Sequence, residues 1–190
     1  IHGDTALALA LDARSSLRPD LKIIIMSATL DVQRLSGALN APAIVSEGRS
    51  FPVEVFYREK TSPLPLPEQA AEVILRALAA RDGSLLAFLP GEGAIRRAAG
   101  LLKGRLPGDT ELHELYGRLD KELQRRAIAP APAGRRKVVL ATSIAETSLT
   151  IEGVKVVVDS GLTRAQTFSP VNGLSRLETV GISLASAEQR

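Results

Sequence analysis

Cysteine and tryptophan are missing from these 190 residues, and histidine occurs only at His2 and His113. No disulfide and no thiolate zinc site can form, and a metal site built on several histidines has too few of them. Aromatic residues make up 3% of the chain, too thin a supply for a single-strand binder that stacks successive bases on interleaved rings. A nucleic acid held by this chain would be gripped through its backbone. No uninterrupted apolar run approaches the roughly 20 residues that span a bilayer. The opening "IHGDTALALALDARSSLRPD" has neither a basic n-region nor a cleavage site. The sequence therefore predicts a soluble, cytoplasmic protein with no membrane partner. What is present is a globular composition, 45% hydrophobic and 24% charged, with a mild net charge of +3 that permits a polyanionic partner without requiring one.

Hydrophobic periodicity divides the chain. "LKIIIMSATL" carries an apolar run from Ile23 to Met26 that predicts a strand covered on both faces, followed by a helix with Val32, Leu35 and Leu39 on one side and Asp31 as N-cap. An extended stretch runs from Ala43 to Lys60, and the prolines of "TSPLPLPEQ" mark a connector. A domain boundary is expected around Ser46 to Pro52, dividing the chain into residues 1–47 and 48–190. The second part alternates helix and strand: helix 68–81 closed by Gly83, strand "SLLAFLPG", helix 93–106, strand "ELHELYG", helix 120–128, then strands "KVVLAT" and "VKVVVDSG". This alternation predicts an α/β fold with an open, doubly wound parallel sheet. Around Asn172-Gly173, a dipeptide that accepts the positive φ of a tight turn, a β-hairpin is expected to project from it.

Ligands of doubly wound sheets collect beyond the carboxyl ends of the strands. Three strand tails stand out. Ser27 and Thr29 of "SAT" either bond a neighbouring strand end, a phosphate or a water, or only satisfy the backbone where the helix begins. The glycines of "FLPGEG" permit close backbone approach to a ligand, or form an ordinary strand-to-helix turn; no Walker spacing occurs here or elsewhere. The third tail, "ATSIAETSLTIEGV", is crowded with hydroxyls. Ser143 and Glu146 read as a capping box and predict a short helix just past Thr142. Thr142, Thr147, Ser148, Thr150 and Glu152 are left over, all expected near the strand tails. Thr142 and the first-turn amides can seat a phosphodiester, while Ser148 and Glu152 can face a nucleotide, the carboxylate accepting from ribose hydroxyls.

"SATL", "FLPG", "ATSIAETSLTIEGV", "VVDSGL" and "ISLASAEQR" resemble motifs III, IV, V, the extension of V and the start of VI of the DEAH-box ATP-dependent RNA helicases. "LYGRLDKELQRRAIAPAPAGRRKVVLATSIAETSLTI" is most similar to their bacterial HrpB-type branch. The resemblance covers nearly the whole chain. It implies a RecA-like fold of the P-loop NTPase helicase type, with 1–47 as the end of a first, ATP-binding domain and 48–190 as most of a second. It also implies that Ser27 and Thr29 couple hydrolysis to strand movement, and that Pro90, Gly91, Thr142 and Ser143 contact nucleic acid. Ser148 and Gln189 take catalytic positions at the nucleotide, with Glu152 beside the ribose, and the hairpin of about Thr167 to Glu178 helps part strands.

ATP, Mg2+ and RNA or another single strand are the implied cofactors and partner. Three positions depart from the family pattern. Ser143 stands where many relatives have Asn, Ile128 where the spliceosomal branch has a Phe against adenine, and Glu152 where relatives have Asp. The phosphate-binding loop, the Asp-Glu-x-His motif and the Gly-Arg-x-Gly-Arg run do not occur. The expectation is therefore a fragment, inactive as an ATPase by itself. The alternative is a noncatalytic nucleic-acid-binding or docking module with a helicase-like body.

Overall fold

The computed structural model describes residues 2–26, 32–45, 52–58, 62–146 and 151–190. They fall into two compact units, Ile1–Arg49 and Ser50–Arg190. The expected boundary at Ser46 to Pro52 lies almost wholly outside the described residues, as do Asp31, Ser27 and Thr29.

The first unit contains α1 (His2–Ser16) and α2 (Val32–Leu39). α1 was not signalled by periodicity, because its Ala-Leu-rich repeat "ALALALD" gives helix propensity without one apolar face. α2 follows the expected pattern, with Leu35 and Leu39 half-buried. The strand expected at Ile23 to Met26 does not form: residues 21–26 have no regular structure, and Ile24 and Met26 are 82% and 86% exposed. A parallel strand needs a neighbour to complete its ladder. The first unit offers no strand among its described residues to supply one.

The second unit is a three-layer α/β body. After α3 (Leu66–Ala80) come β1 (Ser84–Phe88), α4 (Glu92–Leu102), β2 (Thr110–Leu115), α5 (Lys121–Ile128), β3 (Arg136–Ala141) and β4 (Val154–Asp159). The four strands form one sheet in the order β2-β3-β1-β4, every pairing parallel. β1 is the strand buried from end to end, as its unbroken apolar sequence requires. Leu85, Ala87 and Leu89 face one layer, where Val138 and Leu140 of β3 meet Ile74 and Leu78 of α3 and Ile95 and Leu102 of α4. Leu86 and Phe88 face the other, with Val139, Ala141, Leu115, Ala127 of α5, and Ala145 and Ile151 of the β3–β4 connection. Alternate residues of one strand thus seed two cores, the requirement for a doubly wound sheet.

The ends of the helices are fixed by local chemistry. Asp120 caps α5 by accepting the Glu122 N–H at 2.9 Å. Gly83 adopts φ +92° to turn α3 into β1. Arg136 reaches from β3 to donate to the carbonyls of Leu78 and Arg81 at 3.1 and 3.2 Å, satisfying the open end of α3.

β5 (Leu162–Ser169) and β6 (Leu174–Gly181) form the expected antiparallel hairpin, longer than the sequence signalled, with Gly173 at φ +67° in its turn. The short α6 (Leu184–Gln189) follows, capped by Ser183. No described helix is long and apolar enough to cross a membrane.

Candidate nucleotide and nucleic-acid site

The parallel register brings three tails to one rim of the sheet. Phe88 ends β1 opposite Ala141 at the end of β3 and Asp159 at the end of β4. The Leu89 N–H then donates to the Ala141 carbonyl at 2.8 Å, and the Ser160 N–H to the Phe88 carbonyl at 3.1 Å, which continues the ladder past the strands. Pro90 and Gly91 therefore leave the sheet beside Thr142 and Ser143, and these four expected nucleic-acid contacts share one rim. The stem of Arg164, from the hairpin, lies over Gly91: a Cβ there would stand 2.9 Å from Arg164 Cδ.

A short helical segment starts just past Thr142, as expected. Ser143–Ala145 form a single 3-10 turn, with Thr142 in the N-cap position, and no side chain caps it. The expected capping box between Ser143 and Glu146 does not form, because the Glu146 carboxylate is engaged elsewhere. It accepts from Arg190 Nε at 3.0 Å and Nη2 at 2.9 Å, and from the Ser186 hydroxyl. Arg190 also donates through Nη1 to Asp159 at 2.9 Å, and its guanidinium lies 4.6 Å from the centre of the Phe88 ring. A long-range ion pair outcompetes the local cap.

Gln189 ends α6 half-buried, next to Arg190 and so on the same rim. Glu152 is elsewhere. β4 is parallel to β1 and begins at Val154 opposite Ser84, which places Glu152 at the amino ends of the strands. There it is exposed and lines an open depression of about 210 Å³ with Ser84, Pro130, Ala131, Arg135 and Arg136. The expectation that Glu152 lies near the strand tails is therefore corrected: β4, about 20 Å long at ~3.3 Å per residue, separates it from the tail at Asp159. Ser148, with Thr147 and Thr150, lies outside the described residues. A larger depression of about 410 Å³, lined by Arg81, Asp82, Asp109 and Arg136, lies at the end of α3 and contains none of the singled-out residues.

Two features escaped the sequence reading. One is the set Glu146, Asp159 and Arg190; its only signal was an acidic residue closing the apolar strand "VKVVVD". The other is Lys137, 2% exposed, whose ammonium donates to the carbonyls of Arg126, Ala127 and Ala129 at the end of α5. Burial pushes the Lys137 ammonium below its ordinary pKa, while Glu111 opposes that shift. α5 leads into the Pro130–Ala131 wall of the Glu152 depression, so Lys137 anchors that wall from below.

A RecA-like helicase body, with its loops gathered at the carboxyl rim of a parallel sheet, is what this fold and site define. The chain belongs to the family described as helicase conserved C-terminal domain, which matches residues 68–188. It is 51% identical over its whole length to the ATP-dependent RNA helicase HrpB of Escherichia coli, covering 24% of that protein. It is 39% identical over 91% of its length to the pre-mRNA-splicing factor ATP-dependent RNA helicase prp22 of Schizosaccharomyces pombe, covering 15% of it. Two crystal structures of E. coli HrpB superpose on it. One, described as a DEAH/RHA helicase, gives a TM-score of 0.90 at 51% identity over 97% of this chain. The other, described as a DExH-box NTPase, gives 0.91 at 50% identity over all of it, and the chain spans 24% of each.

Proposed function

We propose that this chain is part of an ATP-dependent RNA helicase in which ATP hydrolysis drives movement along, or unwinding of, a nucleic acid strand. Residues 1–47 then belong to the end of the first RecA-like domain and 48–190 to the second. The observation that carries the reading is the shared rim: Pro90, Gly91, Thr142 and Ser143 stand side by side on paired strand ends, on the same rim as Gln189. RNA backbone would lie along the first four. Gln189 would approach the phosphate end of ATP. Ser148 would meet the γ-phosphate or its attacking water, and Ser27 and Thr29 would relay the change in the first domain. The identities of 51% and 39% to proteins named as ATP-dependent RNA helicases support this reading.

Among the described residues, no group of three or more acidic or histidine side chains could hold a metal ion. Magnesium would be bound mainly by parts of the enzyme outside this chain.

The test is Ser148→Ala in the full-length protein. RNA-stimulated ATP turnover should fall by about 10-fold or more, with the thermal unfolding midpoint unchanged. An unaltered turnover number would remove Ser148 from the mechanism. RNA binding that weakens with salt in a wild-type protein showing no ATP turnover would instead favour a noncatalytic binding module.

A further inference from the structure

Arg190 is a heavily engaged side chain on the carboxyl rim. It is 2% exposed, yet it carries a full charge, and its partners come from three separate parts of the chain. Nε and Nη2 grip Glu146, on the β3–β4 connection four residues past Thr142. Nη1 grips Asp159 at the end of β4, whose same oxygen also accepts the Gly161 N–H at 2.9 Å. The guanidinium plane rests on Phe88, two residues before Pro90. Ser186, one turn earlier in α6, donates to the same Glu146 carboxylate.

Burying an arginine between carboxylates is a weak source of net stability, because desolvation offsets most of the attraction. Apolar residues would fill the same space at less cost. What such a contact supplies is geometric definition: a planar fork accepts carboxylates from few directions. Here the fork fixes the loop bearing Thr142 and Ser143, the tail leading to Pro90 and Gly91, and the helix bearing Gln189.

We propose that Arg190 is a positioning residue that locks the nucleic-acid-facing loops and the nucleotide-facing end of α6 into one arrangement, so that RNA binding is transmitted to ATP turnover. The inference rests on the helicase reading above. It concerns how the two ligand surfaces are coupled: Nε and Nη2 of Arg190 are taken by Glu146 and Nη1 by Asp159.

The experiment measures ATP turnover by the full-length protein with and without single-stranded RNA, and RNA affinity at fixed salt. The variants are Arg190→Gln, Arg190→Lys, Glu146→Gln and the double Glu146→Gln/Arg190→Gln. Arg190→Gln and Glu146→Gln should each lower the ratio of RNA-stimulated to basal turnover by about 10-fold, with a smaller change in RNA affinity. Arg190→Lys, which keeps the charge but not the fork, should fall between. The double variant should be no worse than either single change, since the contact is already broken. A wild-type ratio in Arg190→Gln, accompanied only by a lower unfolding midpoint, would reduce Arg190 to a structural residue and overturn the proposal. Losses that multiply in the double variant would overturn it too, by showing that the two residues act separately. If Arg190→Gln does not fold, Arg190→Lys decides alone, a wild-type ratio again being fatal. A wild-type protein whose turnover RNA does not stimulate would sink the helicase reading itself, a result distinct from intact stimulation in every variant.

Discussion

The ammonium of Lys137 lies 2.6 Å from the carbonyl oxygen of Ala127, a buried charge beneath the last turn of α5. The partial negative charge at a helix C-terminus favours a cation there, and three carbonyls would lose their donor without it. Lys137→Met should therefore destabilise the fold by about 2–4 kcal/mol, read from urea unfolding. A variant as stable as wild type would show that apolar burial replaces the ammonium without loss.

The same lysine makes a pH prediction. Its folded pKa lies below the ordinary value of 10.5, so the unfolded chain binds the proton more tightly. The group's contribution is full above pH 10.5 and is lost as pH falls through the lowered folded value. The stability difference between wild type and Lys137→Met should grow as pH rises toward 10.5. A difference that stays flat or shrinks would contradict the assignment.

Gly83 and Gly91 are both crowded, but differently. At Gly83 the backbone is left-handed, and a Cβ would stand 2.8 Å from Lys155 Cγ and Cδ and 2.9 Å from its Cβ, so neither chain can give way cheaply. At Gly91 the obstruction is the flexible stem of Arg164. Gly83→Ala should cost about 1–3 kcal/mol and Gly91→Ala less than about 1 kcal/mol. Chemical denaturation of both variants checks the order, and the reverse order would refute the argument.

Thr142 gives a test that separates hydrogen bonding from charge. Its side chain makes no cap bond to the turn that follows, which leaves the hydroxyl available to a phosphate oxygen. Thr142→Val should weaken RNA binding by about 3- to 10-fold, without altering the dependence on salt, because no counterion is released by a neutral group. A changed salt slope would mean that the substitution had displaced a cation instead.

Ile128, half-buried at the end of α5, occupies the position where the spliceosomal branch has an aromatic. If the base lies against it, Ile128→Phe adds a stacking surface and should lower the KM for ATP by about 5-fold or more. An unchanged KM would place the base elsewhere.

The body of the fold was legible because its signals are local. The apolar run of β1, the Asp120 cap and the Asn172-Gly173 turn each act over a few residues, and each appears where the pattern placed it. The misses all involve distant partners. Ile23 to Met26 has the composition of a buried strand but no neighbouring strand among the described residues of its own unit. Glu146 looked like a local cap because nothing in the sequence shows that Arg190, far along the chain, reaches it. Glu152 was misplaced because spacing from Thr142 does not reveal that β4 starts opposite Ser84, at the amino ends of the strands.

The strand order has a consequence for synthesis. β1 is the first strand of the sheet to leave the ribosome, yet it finishes with a neighbour on each side, β3 beginning at Arg136 and β4 at Val154. At roughly 5–20 residues per second, both of its edges wait for several seconds with α3 and α4, and later α5, covering only its faces. An unpaired apolar strand is a template for any other strand that passes. A nascent chain that stalls before Asp159 would still present an open edge of β1 to its neighbours on the polysome.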